Sequence, residues 1–244
     1  MLSTESIEVN DQFIQVMDLI ENTNQHVFVT GKAGTGKSTL LTYCRAHTNK
    51  KMVVLAPTGI AALNINAQTI HSFFWFNTQI TPEAAQRKAS RLSKIDIFLE
   101  IEVIILDEIS MVRADLLDCI DIFLKTVLKN KLPFGGKQVV FIGDLYQLPP
   151  VVTKDENVYF EDVYNSPYFF SSNVFSQTNF QMEFIELHKI YRQRDAVFIE
   201  ILNAVRNRRI SQNQISQLNK RYDANYREHD EGSIYLTTTN KIVD

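Results

Sequence analysis

Apolar positions along the chain follow two rhythms, and their alternation outlines the fold. Continuous apolar runs at Val27 to Val29, Met52 to Ala56, Val103 to Leu106 and Val139 to Ile142 read as strands buried on both faces, which requires a parallel sheet covered by helices. Elsewhere the spacing is helical. Phe13, Met17 and Ile20 recur at helical intervals behind Asn10, whose short amide can cap a helix start, so a helix is predicted over Gln12 to Glu21. A strand-like stretch at Glu183 to Leu187 precedes a helix predicted over Asp195 to Arg206, a weaker one over Ser211 to Tyr222, and a last strand at Ser233 to Thr237. The class is α/β.

Ligands of such sheets bind at the carboxyl ends of the strands, and the reactive residues cluster there. The first strand run leads into Gly31 to Thr39, GKAGTGKST. Glycines at 31, 34 and 36 let successive N–H groups converge on an anion at a helix N-terminus. Lys37 adds a mobile charge for the outer phosphates, and Ser38 offers a hydroxyl to Mg2+, a hard cation that shares oxygen ligands with a nucleotide. Gly31, Ala33, Gly34, Thr35, Gly36, Lys37, Ser38 and Thr39 are therefore the candidate nucleotide-binding set. The chain has only eight glycines, three of them here, which argues against a chance match in a flexible linker. The third strand run ends in Asp107 and Glu108. Asp107 is placed to hold Mg2+, and Glu108 to polarise the water that attacks a γ-phosphate. The fourth ends in GDLYQLPP, where Gln147 can sense the γ-phosphate without adding negative charge; an ordinary turn closed by Pro149 and Pro150 is the alternative.

Composition narrows the setting. At 244 residues and 45% hydrophobic content, the chain can bury one large core or two modest ones. A net charge of −3 gives no global field for nucleic acid, so any such partner must be held by a local groove. No apolar run approaches the roughly 20 residues of a membrane helix. The N-terminus, MLSTESIEVND, is unlike a leader peptide, and the expected compartment is the cytosol, or the nucleus in a eukaryote. Cys44 and Cys119 sit in apolar helical patterns without metal-ligand spacing, so they read as buried reduced thiols. The aromatic-rich stretch from Tyr159 to Phe175 reads as a segment packed onto the core, with a base-stacking platform as the alternative. Arg206, Arg208 and Arg209 complement a helix C-terminus, with a DNA contact as the second reading.

The ordered set GKAGTGKS, APTGIAALNINAQTIHSFF, ILDEISMV, FGGKQVVFIGDLYQLPPV and LHKIYRQRD resembles the Pif-type DNA helicases of superfamily 1, relatives of RecD and Dda. The resemblance runs from about Val9 to the end. It implies a RecA-like nucleotide-binding lobe over residues 1–180, with a short wedge-like insertion near 77–96, and the beginning of a second RecA-like lobe over 181–244. Gln12 resembles the family glutamine that reads the adenine edge, which implies ATP. Gln147 resembles the residue facing the γ-phosphate, and Arg192 in YRQ the arginine that stabilises charge on the transferring phosphoryl group, although an ion pair with Asp195 would also explain it. Thr58, Thr69, His71 and Phe73 match the stretch that family members lay along single-stranded DNA. At least half of the run Phe73 to Phe76 is expected in the core, and His71 rests mainly on the resemblance.

The later motifs of the second lobe are not in the chain. The segment between Asn77 and Asp96 is short and polar, with Pro82, Arg87, Lys88 and Arg91. The implied activity is ATP hydrolysis coupled to 5′ to 3′ translocation on single-stranded DNA and unwinding at duplex junctions, by a monomer, with weak turnover in this chain alone. A protein-remodelling ATPase would share only the phosphate loop and the DE pair. A nucleic-acid module switched by ATP would release negligible phosphate with or without DNA.

Overall fold

The computed structural model describes residues 8–191 and 195–223. The chain divides into two units between Arg194 and Asp195. In the first, β1 (His26–Gly31), β2 (Met52–Ala56), β3 (Gln68–Thr69), β4 (Val103–Leu106), β5 (Gln138–Ile142) and β6 (Met182–Leu187) form one sheet in the order β3-β2-β4-β5-β1-β6. All its pairings are parallel. The helices of this unit are α1 (Asp11–Asn22), α2 (Lys37–His47), α3 (Gly59–Asn64), α4 (Ile70–Phe73), α5 (Pro82–Ser90), α6 (Asp96–Glu100), α7 (Ala114–Leu128) and α8 (Lys154–Val163).

The unbroken apolar strand runs follow from burial on both faces. Ile104, Leu106, Val139 and Phe141 point into a core built with Phe74, Phe98, Phe123, the alanine face of α5 and the large apolar face of α7. Their neighbours Val103, Ile105, Val140 and Ile142 point the opposite way, onto Phe13 and Ile20 of α1 and Leu40 and Leu41 of α2. Each strand thus serves two cores, as period-two geometry demands. Asn10 caps α1 as predicted, its side chain accepting from the Phe13 N–H at 2.9 Å. Both cysteines are buried, and burial pushes each thiol up to about 12.

Asp118 and Asp121 on α7 (Ala114–Leu128) hold chain segments on both sides of β5. Asp118 accepts from the Ser172 hydroxyl, from the main-chain N–H groups of Asn173 and Val174 (3.1 Å each) and from Asn173 Nδ2 (2.7 Å). Asp121 accepts from Phe134 N–H, Lys125 Nζ (both 2.6 Å) and Gln177 Nε2 (3.1 Å). The Asp118 bonds and Gln177 tie the end of the aromatic stretch to α7. Phe160, Tyr164 and Phe169 are buried and Tyr159 and Phe170 remain partly exposed, so the packed reading accounts for most of these rings.

The structure changes one expectation. The strand at 182–187 is not the opening of a second lobe: it pairs with β1 from His26↔Met182 to Gly31↔Leu187, and the division falls after Arg194 rather than after residue 180. The segment near 77–96 contains the helix α5. Thr81 caps α5, Pro82 occupies its first turn, and Ala85 and Ala89 are buried, so the helix lies on the core by its smallest side chains. The second unit, from Asp195, contains α9 (Ala196–Arg206), capped by Asp195, and α10 (Gln212–Asn219), opened by a Ser211–Gln214 capping box. The strand expected at Ser233 to Thr237 lies outside the described residues. No helix among the described residues is long and apolar enough to cross a membrane.

Candidate active site

The loop between β1 and α2 has the geometry its composition predicts. Gly34 and Gly36 adopt φ of 83° and 89°, where a side chain would strain the backbone. Gly31 is required for closeness instead: a Cβ there would meet the Leu187 carbonyl oxygen of β6 at 2.9 Å. Thr35 is fully buried and its hydroxyl donates to the Lys32 carbonyl at 2.9 Å, pinning the loop from within. No side chain caps α2, whose N-cap is Gly36, so its first amides face outward as an anion site. Lys37 Nζ folds back onto the carbonyls of Gly31 (2.6 Å) and Lys32 (3.2 Å), across the mouth of the loop.

The β4 end supplies the carboxylates. Asp107 is 7% exposed; burial, joined by the Glu108 charge, pushes its pKa up to about 6 against the pull of a Glu108 main-chain hydrogen bond and the Lys37 and Arg45 charges. A carboxylate so poor in donors is one that a cation would stabilise. With the exposed Ser38 hydroxyl it provides two hard oxygen ligands, a set that suits Mg2+ completed by phosphate and water. Glu108 sits in the left-handed region at φ 49°, ψ 42°. That costly turn for a side-chain-bearing residue sends successive carboxylates in different directions.

Asp144, 1% exposed, shapes the β5 end. It accepts from Tyr146 N–H at 3.0 Å and from Gln147 Nε2 at 3.3 Å, while the Gln147 N–H donates to the Asp144 carbonyl at 2.9 Å. The two strand ends are also locked together, because a Cβ on Gly143 would lie 2.8 Å from Ile109 Cγ2. As a result Lys37, Ser38, Glu108 and Gln147 line one cavity of ≈ 330 Å³ with the glycine loop, including Ala33, Gly34, Gly36 and Thr39.

Two residues add to or modify the predicted set. Tyr191 also lines this cavity. Its N–H donates to the Gly34 carbonyl at 2.8 Å, its ring would touch a Cβ on Gly36 at 3.3 Å, and its hydroxyl accepts from Asn10 at 3.0 Å. It precedes Arg192 in the same YRQ, so the signal was present. Arg192 itself lies outside the described residues. The Gln12 carboxamide is engaged by main chain at the end of β6, donating to the Glu186 carbonyl and accepting from His188 N–H at 3.2 Å; reading a base edge would exchange these bonds.

The residues matched to a DNA track divide. Thr58 lies just past β2 and Thr69 ends the adjacent β3, with Ala56 in register with Thr69, and their hydroxyls cap α3 and α4. Thr58 lines a cavity of ≈ 390 Å³ with Ile60, Asn64, Met111 and Leu148, and that cavity shares Glu108 and Gln147 with the phosphate cavity. His71 lines a different cavity of ≈ 520 Å³, beside Arg113 and Tyr159, and burial lowers its pKa. Phe73 is a correction. It is 6% exposed and stacks edge-on against Phe74 and Phe98, so its ring belongs to the core, and the exposed aromatic of the run is Trp75.

Comparison with known proteins gives a consistent picture. Residues 1–216 match the family model of the PIF1-like helicase. The chain is 34% identical over 199 residues to the ATP-dependent DNA helicase RRM3 of Saccharomyces cerevisiae, covering 79% of this chain and 26% of the relative. It is 29% identical to the ATP-dependent DNA helicase Pif1 of Bdellovibrio bacteriovorus, covering 95% and 50%. Among solved structures it is similar to the Pif1 helicase from Bacteroides in complex with ADP-AlF3 and ssDNA, with a TM-score of 0.81 and 38% identity over 94% of this chain and 52% of that one. The chain thus spans a quarter to a half of the length of these relatives.

Proposed function

Because the chain belongs to the PIF1-like helicase family, we propose that it binds ATP with Mg2+ at the β1–α2 loop, as the motor portion of a helicase that moves 5′ to 3′ along single-stranded DNA and opens duplex junctions. One observation carries the coupling: Glu108 and Gln147 line both the phosphate cavity and the neighbouring cavity that holds Thr58. A change at the γ-phosphate reaches the strand-end groove through two side chains.

Each group takes the role its chemistry suits. Lys37 exchanges its two carbonyl partners for the outer phosphates. Ser38 and Asp107 are the groups that would hold Mg2+, which when bound offsets charge on those phosphates. Glu108 orients the attacking water and takes its proton, and Gln147, tethered to Asp144, senses whether the γ-phosphate is present. Arg192 stabilises charge on the transferring group, and the unit from Asp195 begins the second lobe. Thr58 and Thr69 hold DNA phosphates while still capping their helices.

Phosphate release by the whole protein, measured with and without oligothymidylate, tests this reading. Release stimulated by the oligonucleotide and abolished in Lys37→Ala is expected. Release indifferent to single-stranded DNA would refute the coupling, and negligible release in both conditions would identify an ATP switch.

A further inference from the structure

Trp75 stands where the backbone asks for glycine. Helix α4 ends in a turn in which the Trp75 N–H bonds the Ser72 carbonyl (3.3 Å) and the Phe76 N–H bonds the His71 carbonyl (2.8 Å), a pattern that places its central residue in the left-handed region. That residue is Trp75, at φ 53°. Glycine adopts this conformation freely and a bulky aromatic does not. Nor does core packing explain the choice. Phe73, Phe74 and Phe76 around it are buried, whereas Trp75 is 51% exposed and meets Phe98 edge-on, with ring centroids 6.1 Å apart.

The exposed ring borders a cavity of ≈ 690 Å³ with Asn77, Ile80, Arg87, Lys88 and Arg91. None of these three cations takes part in an ion pair among the described residues, although Glu83, one turn earlier on α5, feels the Arg87 charge. Cations in a last helical turn complement the helix dipole, but that accounts for neither the like-charge Arg87 and Arg91 at i, i+4 nor the aromatic facing them. A half-exposed ring beside cations is the pairing that holds bases by stacking and phosphates by charge. In a chain of net charge −3, it is a local basic groove.

We propose that the Trp75–Arg87–Lys88–Arg91 groove is a second contact for single-stranded nucleic acid, separate from the Thr58 and Thr69 strand ends, in which Trp75 stacks on a base while the cations of α5 hold the flanking phosphates. The proposal rests on the single-stranded DNA reading above and adds a distinct surface to it.

The chain contains a single tryptophan, so its fluorescence reports on this groove alone. The 244-residue chain is titrated with a dye-labelled oligothymidylate of about 10 nucleotides, within the site sizes such grooves take, while Trp emission and dye anisotropy are followed together. Trp quenching that parallels the anisotropy is expected. Arg87→Ala/Lys88→Ala/Arg91→Ala should abolish the quenching and reduce the salt slope of binding by about 2. Trp75→Asn, which suits the left-handed backbone, should weaken binding roughly tenfold without lowering the thermal midpoint. Anisotropy that rises with Trp emission unchanged, and the triple variant binding like the parent, would overturn the proposal and leave the Thr58 and Thr69 reading standing. No change in either signal would overturn both. Emission that responds to polyglutamate and not to the oligonucleotide would make the groove an acidic-polypeptide site and overturn the proposal.

Discussion

Asp107 and Asp118 are the same residue type at nearly the same burial, 7% and 4% exposed, yet their surroundings differ in kind. Asp118 is surrounded by four donors that tie residues 172–174 to α7. Asp107 has one main-chain donor, and burial raises its pKa to about 6. A buried carboxylate saturated by hydrogen bonds is a structural clamp; one left short of donors at a strand end is one that a cation would stabilise. The distinction lies in donor count, which burial alone does not reveal.

The sharpest break of this contrast is kinetic. Glu108→Gln keeps the shape of the β4 end and removes the proton acceptor, so phosphate release by the whole protein should fall roughly 10²–10⁴-fold with the thermal midpoint essentially unmoved. An undiminished rate would take Glu108 out of the chemistry. Asp118→Ala should do the reverse. Leaving its donors unpaired costs about 3 kcal/mol, lowering the thermal midpoint by roughly 6–12 °C, while nucleotide affinity measured on the folded protein stays unchanged.

His26 extends the structural side of the comparison to pH. Its Nδ1 accepts from Val139 N–H at 3.1 Å and its ring stacks on Phe180, and burial lowers its pKa to about 4. The folded value is below the ordinary 6.5, so this contribution is fully present above pH 6.5 and is lost as pH falls towards 4, by up to about 3 kcal/mol. Urea midpoints across that window should decline, and less so in His26→Gln.

Asp107 predicts the opposite sign. Its folded pKa lies above its ordinary value of 3.8, so the ionised carboxylate costs stability above about pH 6, and the cost fades as pH falls towards 4. Asp107→Asn should therefore raise stability at pH 7.5 by about 1–2 kcal/mol while abolishing Mg2+-dependent turnover. Loss of stability in that variant at pH 7.5 would move Asp107 into the company of Asp118.

The parts of the site legible in the sequence were those whose chemistry is local. Gly34, Gly36, Lys37 and Ser38 act through a single turn, and Asp107 and Glu108 end a strand marked by four consecutive apolar residues. Tyr191 was passed over because its role depends on Gly34 and Gly36, far away in the chain. Which rings of the run from Phe73 to Phe76 enter the core was not legible, because the left-handed turn at Trp75 breaks the helical period and no composition rule marks it. β6 was assigned to the wrong side of a boundary for a similar reason: 151 residues separate Gly31 from Met182, but main-chain hydrogen bonding makes their strands neighbours.

The sequence by itself determined the α/β class, the phosphate loop and the acidic strand end, since each follows from periodicity or from residue chemistry within a few positions. Tertiary structure alone decided which carboxylate is a clamp and which is poised, that Glu108 and Gln147 face two cavities, and that Trp75 looks out over three cations. Those properties depend on which donors, strands and helices meet across long stretches of chain, and hydrophobic burial of both sheet faces brings them together.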